Sequence, residues 1–197
     1  MYIFTFITTI SLFMKTTLSN KSDFIEFDTA LNTGLRLSKE PKTEKLGLYI
    51  VTSIYTGLRT GDMQTLTWDM LCGDIITLRE EKTNKVRTIA VHDNVRKLAV
   101  KLRKGSGLVF TSQKKSVYST QALNRLLKEA FSKQAKKDNI STHSLRKTFG
   151  RRVYDITGQS EHALVKLSEL FGHSSVGLTR VYLGIKQEEL NNLYLSM

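Results

Sequence analysis

The sequence predicts a mainly α domain with one small antiparallel β-sheet, an α+β class. Two observations carry this reading. Apolar residues recur at helical spacing in segments spread along the whole chain, and a strand-like pattern replaces that spacing only between residues 74 and 91. A length of 197 residues leaves room for one domain with a real core. The chain has one proline and no low-complexity run, so no linker divides it. The expected organisation is an apolar leader over residues 1–20 and a single domain over residues 21–197.

Met1 to Met14 are apolar with scattered Thr and Ser, but they lack the basic start of a secretory signal. From Ser22 to Leu37, Phe24, Phe27, Leu31 and Leu35 keep helical spacing. Pro41 breaks the chain before a second helix over about Thr43 to Thr56, whose buried face is Leu46, Tyr49, Ile50 and Ile54. Gly57 stops that helix, and a short helix follows from Asp62 to Leu66. Asp74–Leu78 and Val86–Val91 read as strands, joined by Lys82-Thr83-Asn84-Lys85, whose Thr-Asn pair suits a turn. The result is a hairpin with a basic tip. Helical patterns resume over Asp93–Arg103, Thr120–Lys136, Ser144–Ile156, Glu161–Phe171 and Lys186–Leu195.

Lys plus Arg number 30 against 18 Asp plus Glu, a formal charge of +12. The excess is uneven: residues 101–197 hold 17 basic against 7 acidic side chains. Such a stretch suits a polyanion, because each neutralised phosphate releases condensed counterions. One cysteine, Cys72, excludes a disulfide framework and a Cys-based zinc module, and fits a reducing compartment. No apolar run reaches the roughly 18 residues that span a bilayer.

The residues able to carry chemistry are few. Arg59 follows a glycine-terminated buried helix in Thr56-Gly57-Leu58-Arg59. His143 and Arg146 stand three apart at a helix start, where both can point to one side. His173 follows a helix-ending glycine, and Tyr182 comes nine residues later. Singly, each has an ordinary reading as a surface arginine, a structural histidine or a packed aromatic. None of the four histidines pairs with another His or Cys at zinc-ligand spacing. A phosphate-binding P-loop and a serine-hydrolase elbow are both absent from the sequence.

Together these residues have a chemical logic. Two guanidiniums can hold the non-bridging oxygens of a phosphodiester and neutralise charge in its transition state. A tyrosine hydroxyl, ordinarily near a pKa of about 10, becomes a nucleophile when cations or a base help remove its proton. A hairpin lysine can protonate the leaving sugar oxygen. The covalent phosphotyrosine keeps the bond energy, so rejoining needs neither metal nor ATP.

In order, Thr56-Gly57-Leu58-Arg59, Lys82-Thr83-Asn84-Lys85, His143-Ser144-Leu145-Arg146, Gly172-His173-Ser174-Ser175 and Tyr182-Leu183 resemble the signature of the tyrosine recombinases, the phage integrase family. The resemblance covers about residues 22–195 and implies a catalytic domain of that family without its N-terminal DNA-gripping domain. It implies site-specific DNA recombination through a 3′-phosphotyrosine, without cofactor or metal. By resemblance, Arg59 and Arg146 clamp the phosphate, His143 assists proton transfer and His173 hydrogen-bonds the phosphate. Lys82 protonates the 5′ oxygen, with Lys85 as the alternative, and Tyr182 attacks. Asp62 stands where the family often has a buttressing acid, although a helix N-terminal acid is equally compatible. Tyr194 lies too far from His173 to be the nucleophile. Lys147 replaces a frequent second histidine, and Phe171 a common leucine. The implied partners are double-stranded DNA, three further protomers on paired sites and accessory DNA-bending proteins. Leu190, Leu193 and Leu195 are candidates for an exchanged C-terminal contact. The implied location is the cytoplasm of a bacterial, archaeal or phage-infected cell, at the nucleoid. The alternative is a DNA-binding regulator with an idle active site.

Overall fold

The computed structural model describes residues 22–112, 116–185 and 194–197. Its helices are α1 (Phe27–Leu37), α2 (Glu44–Thr56), α3 (Thr60–Gln64), α4 (Trp68–Cys72), α5 (Asp93–Leu102), α6 (Thr120–Ala130), α7 (Thr142–Ile156), α8 (Glu161–Phe171) and α9 (Val176–Leu183). The strands β1 (Ile75–Arg79) and β2 (Val86–Ala90) lie between α4 and α5 and pair antiparallel, with Thr77 opposite Thr88. The expected leader and the positions of Leu190 and Leu193 lie outside the described residues. So does most of the expected final helix, of which Tyr194 and Leu195 are helical. Among the described residues no helix is long and apolar enough to cross a membrane.

α2 is the central element. Ten of its residues are buried, including the expected Leu46, Tyr49, Ile50 and Ile54. It packs on α1, α5 and α7, and its main core extends through Met63, Leu71, Ile76, Leu98, Phe110, Leu127 and Leu145. A second, smaller core gathers Tyr154, Ala163, Leu164, Leu167, Phe171, Leu183 and Ile185. α7 spans both, with Leu145 in the first and Tyr154 in the second.

Three expectations need correction. Residues 22–26 are not helical, because their backbone is committed to α7 and the turn before it: Asp23 N donates to Asn139 O at 3.1 Å and Ile25 N to Thr148 Oγ1 at 3.0 Å. α6 ends at Ala130 rather than Lys136, because Phe131 leaves the helical conformation and enters the core, only 5% exposed. α4 and α9 were not expected. Both are short and opened by a side-chain cap, Thr67 to Met70 N and Ser175 to Leu178 N.

Candidate active site

Each candidate stands at the end of an element, where local rules fix its direction. α2 ends at Gly57, whose left-handed conformation (φ 60°) only glycine adopts without strain. The buried Leu58 then plugs the core, and Arg59 enters α3 with an extended backbone. Ser141 and Ser144 form a reciprocal capping box that starts α7, placing His143 in its first turn and Arg146 one turn on. α8 ends at Gly172, again left-handed (φ 66°), and His173 follows it. A Cβ on Gly172 would lie 3.2 Å from Arg59 Nη2, so this glycine also permits the approach of the arginine.

The structure brings Arg59, Arg146, His173 and Tyr182 together. Arg59 Nη2 donates to the Phe171 carbonyl at 2.6 Å, and Arg146 Nη2 reaches the same oxygen at 3.4 Å. Arg146 Nη1 also donates to Gly57 O, and its Cζ lies 4.4 Å from the Phe171 ring centroid. Two guanidiniums thus converge on the C-terminal carbonyls of two helices, which attract cations. Burial lowers the Arg146 guanidinium to about 10; the Tyr182 phenol and Glu80 oppose this, while Arg59 and Arg87 reinforce it. The centre is richer in positive than in negative charge.

His173 lies edge-on to Tyr182, ring centroids 5.2 Å apart. Its Nδ1 pairs with the buried Thr179 Oγ1 at 2.9 Å, which fixes the ring. Burial lowers the His173 pKa, helped by Arg146, Arg59 and Lys82. His143 is lowered by burial and then by Arg146 and Lys147. His143, His173, Lys147, Ser22, Leu178, Val181 and Tyr182 line one hollow of about 440 Å³. Tyr182 Oη is buried beside Arg146 without a hydrogen bond of good geometry. Burial pushes the phenol up to about 12, against the pull of Arg146 and Arg59.

The hairpin tip closes the other side. Lys82, Arg59, Gly61, Asp62 and Glu81 line a second hollow of about 360 Å³. Lys82 also acts electrostatically on His173. Lys82 and Lys85 are both exposed, but Lys85 lines neither hollow. Asp62 is 1% exposed, and its Oδ1 accepts from Glu81 N at 2.9 Å. It ties α3 to the hairpin in addition to lying 4.0 Å from Arg59. Tyr194 is 74% exposed.

Sequence reading missed two members of this centre. Glu80 is buried and takes Arg59 Nη1 at 3.2 Å, Arg87 Nη1 at 3.3 Å and the Thr83 hydroxyl at 2.6 Å. Burial would raise its carboxyl, but Thr83, Arg87 and Arg59 outweigh that and hold it low. Arg87 also donates to Thr56 O at 3.2 Å. The available signal was Arg87 facing Leu78 in a strand pair beside Glu80. Among the described residues no group of three or more His, Cys, Asp or Glu side chains could hold a metal ion.

Comparison with known proteins identifies the family and the fold. A probable integrase/recombinase, YoeC of Bacillus subtilis, is 27% identical over 180 residues, 89% of this chain and 84% of its own. The tyrosine recombinase XerC of Leptospira interrogans is 27% identical over 86 residues, 44% of this chain. Those residues make up only 26% of XerC. The XerH site-specific recombinase, in a post-cleavage complex with palindromic difH substrate, shares the fold with a TM-score of 0.62. It is 18% identical, over 89% of this chain and 53% of its own. The phage integrase family model matches residues 12–189, nearly the whole chain, and the chain belongs to that family.

Proposed function

We propose that the protein is a site-specific DNA recombinase that cuts and rejoins DNA through a covalent link to Tyr182. The observation that carries this is the convergence of Arg59 and Arg146 on Phe171 O next to the half-buried Tyr182 ring. Two adjacent cations with a surplus of positive charge match the pentavalent transition state of a phosphodiester. The recombinase relatives, and the palindromic difH substrate bound by XerH, support duplex DNA as the substrate.

In this reading Arg59 and Arg146 take the non-bridging oxygens, and His173, its Nδ1 committed to Thr179, turns Nε2 to the same phosphate. Tyr182 Oη attacks phosphorus and gives its proton to the neutral His143 as the phosphorus–O5′ bond breaks. Lys82 protonates the departing 5′ oxygen. Religation reverses each transfer, so the protons balance without external energy. Lys82 is preferred to Lys85 because it borders Arg59 and acts on His173. Asp62 buttresses Arg59 and the hairpin. The domain over residues 21–197 supplies the chemistry, and four protomers on two paired sites, with accessory DNA-bending proteins, carry out strand exchange. In this reading the enzyme acts in the cytoplasm, at the nucleoid.

The test is a trapping assay on duplexes nicked so that the cleaved strand cannot religate, starting from DNA that flanks the gene. Wild type should yield a covalent adduct on a denaturing gel. Tyr182→Phe should yield none while binding the same DNA. An adduct from Tyr182→Phe would reassign the nucleophile. Binding without an adduct across a broad DNA library would instead favour an idle, regulatory protein.

A further inference from the structure

One buried cation beside Tyr182 has no part in the chemistry above. Lys147 follows Arg146 on α7 and is 9% exposed. Its Nζ donates to the Ser22 carbonyl and lies 5.2 Å from the Tyr182 ring centroid. A buried ammonium is costly unless polar groups or a ring face hold it, and here both do. The carbonyl that anchors it is itself fixed. Ser22 Oγ pairs with Ser141 Oγ at 2.6 Å, and Asn139 N donates to Asp23 Oδ2 at 2.8 Å. Ile25 exchanges two hydrogen bonds with the Thr148 hydroxyl, at 3.0 and 2.6 Å. The extended segment is therefore pinned along α7, one residue from Lys147.

Among the described residues no hydrogen bond of good geometry aims the Tyr182 phenol, and Arg146 acts on it only loosely, so its direction depends largely on what touches the ring. Phe171 and His173 pack edge-on at 5.4 and 5.2 Å. Lys147 supplies the one cationic ring contact described for it. Ser22, Lys147 and Tyr182 line the same hollow. We propose that Lys147, anchored by the Ser22 carbonyl, is a positioning residue for the Tyr182 ring, and that the extended segment 22–26 thereby helps to aim the nucleophile. The proposal rests on Tyr182 being the nucleophile. A displacement of residues 22–26 is then transmitted to the reacting oxygen through one side chain, without any change in the arginine clamp.

Four proteins test it: wild type, Lys147→Met, Lys147→Arg and Thr148→Val. The last removes the hydroxyl that pins Ile25. Tyrosine ring signals are read by NMR in the DNA-free protein, with Tyr182 assigned from Tyr182→Phe, and adduct formation is timed at saturating DNA alongside binding and melting. Lys147→Met should shift the Tyr182 ring signals and slow adduct formation about tenfold or more, because misaimed groups lose effective concentration. Its DNA affinity should stay within about threefold of wild type, since a lost phosphate contact would instead show as weaker binding. Lys147→Arg should restore most of the rate, and Thr148→Val should shift the same ring signals as Lys147→Met. Unchanged ring signals and rate in Lys147→Met overturn the proposal. So does a rate loss matched by an equal loss of binding, which marks a phosphate contact. If Lys147→Met fails to fold, Lys147→Gln takes its place under the same criteria. A wild type that forms no adduct overturns the nucleophile reading itself, whereas a wild-type adduct with an unaffected Lys147→Met overturns only the positioning role.

Discussion

Arg146 is 5% exposed, and its guanidinium donates to helix-terminal carbonyls rather than to a carboxylate. A buried cation held this way carries uncompensated charge into the centre, which in the proposed function an arriving phosphate neutralises. Arg146→Ala should therefore slow cleavage by about 10² or more, the usual cost of removing one transition-state donor. Single-turnover adduct formation measures this, and a loss of only a few-fold would count against the role. The histidines make a separate prediction about stability. His143 and His173 both titrate below the ordinary 6.5 in the folded state, chiefly through burial. Between the folded and ordinary values the unfolded chain binds more protons, so stability rises with pH there. Their contribution is complete above pH 6.5 and is lost as pH falls below it. The melting temperature should drop on acidification below 6.5, and less so in His173→Gln. Glu80, held below its ordinary 4.5, adds its own loss only under more acid conditions, so the two windows separate in a pH series.

At the scale of elements, α7 and α9 meet through Gly150. A Cβ there would lie 2.6 Å from Leu183 Cδ2 and 3.0 Å from the Phe171 ring. Leu183 is the immediate neighbour of Tyr182, so Gly150→Ala should push α9 off its seat. The expected cost is about 1–3 kcal/mol of stability, as for other overpacked cores, together with slower adduct formation. Thermal melting and the trapping assay measure both, and an unchanged protein would mean that α9 has slack. The sequence makes some of this contact legible and hides the rest. Arg59 and His173 were visible because each stands beside a helix stop that Gly57 or Gly172 announces, and His143 and Arg146 because they stand three apart at the start of a helical pattern. Glu80 and Arg87 were not. In sequence they are ordinary charged residues, and only the fold supplies Arg59 and Thr56 as their partners. Lys147 was legible only as standing where the family often has a second histidine, and its anchor at Ser22 comes from the fold. α9 was hidden because Gly172, Ser174 and Ser175 read as loop, and the cap at Ser175 has meaning only once Val176–Leu183 packs. Residues 22–26 carried helical spacing, yet Phe24 is held under Arg151 from α7, and the tertiary partner overrides the local pattern.

Across the whole molecule, the proposed clamp and nucleophile stand on different cores. Arg59 and the hairpin belong to the main core around α2, in which ten helix residues are buried. Tyr182 rides on α9, which buries only Thr179 and Leu183 and rests on the smaller core with α8. The hydrogen bonds from Arg59 and Arg146 to Phe171 O cross from one to the other. A unit with less buried apolar surface opens at lower free energy than the domain that supports it. Amides of α8 and α9 should therefore exchange with solvent faster than those of α2 in the DNA-free protein, by about 10²-fold if opening costs some 3 kcal/mol less. Target DNA should narrow that gap, because in the proposed function a phosphate held by both guanidiniums and His173 bridges the same two cores. Hydrogen–deuterium exchange with peptide resolution, with and without DNA, reads both effects. Uniform exchange across α2, α8 and α9 would show that the two cores open as one. Equal protection of every helix on DNA binding would place the phosphate away from the junction.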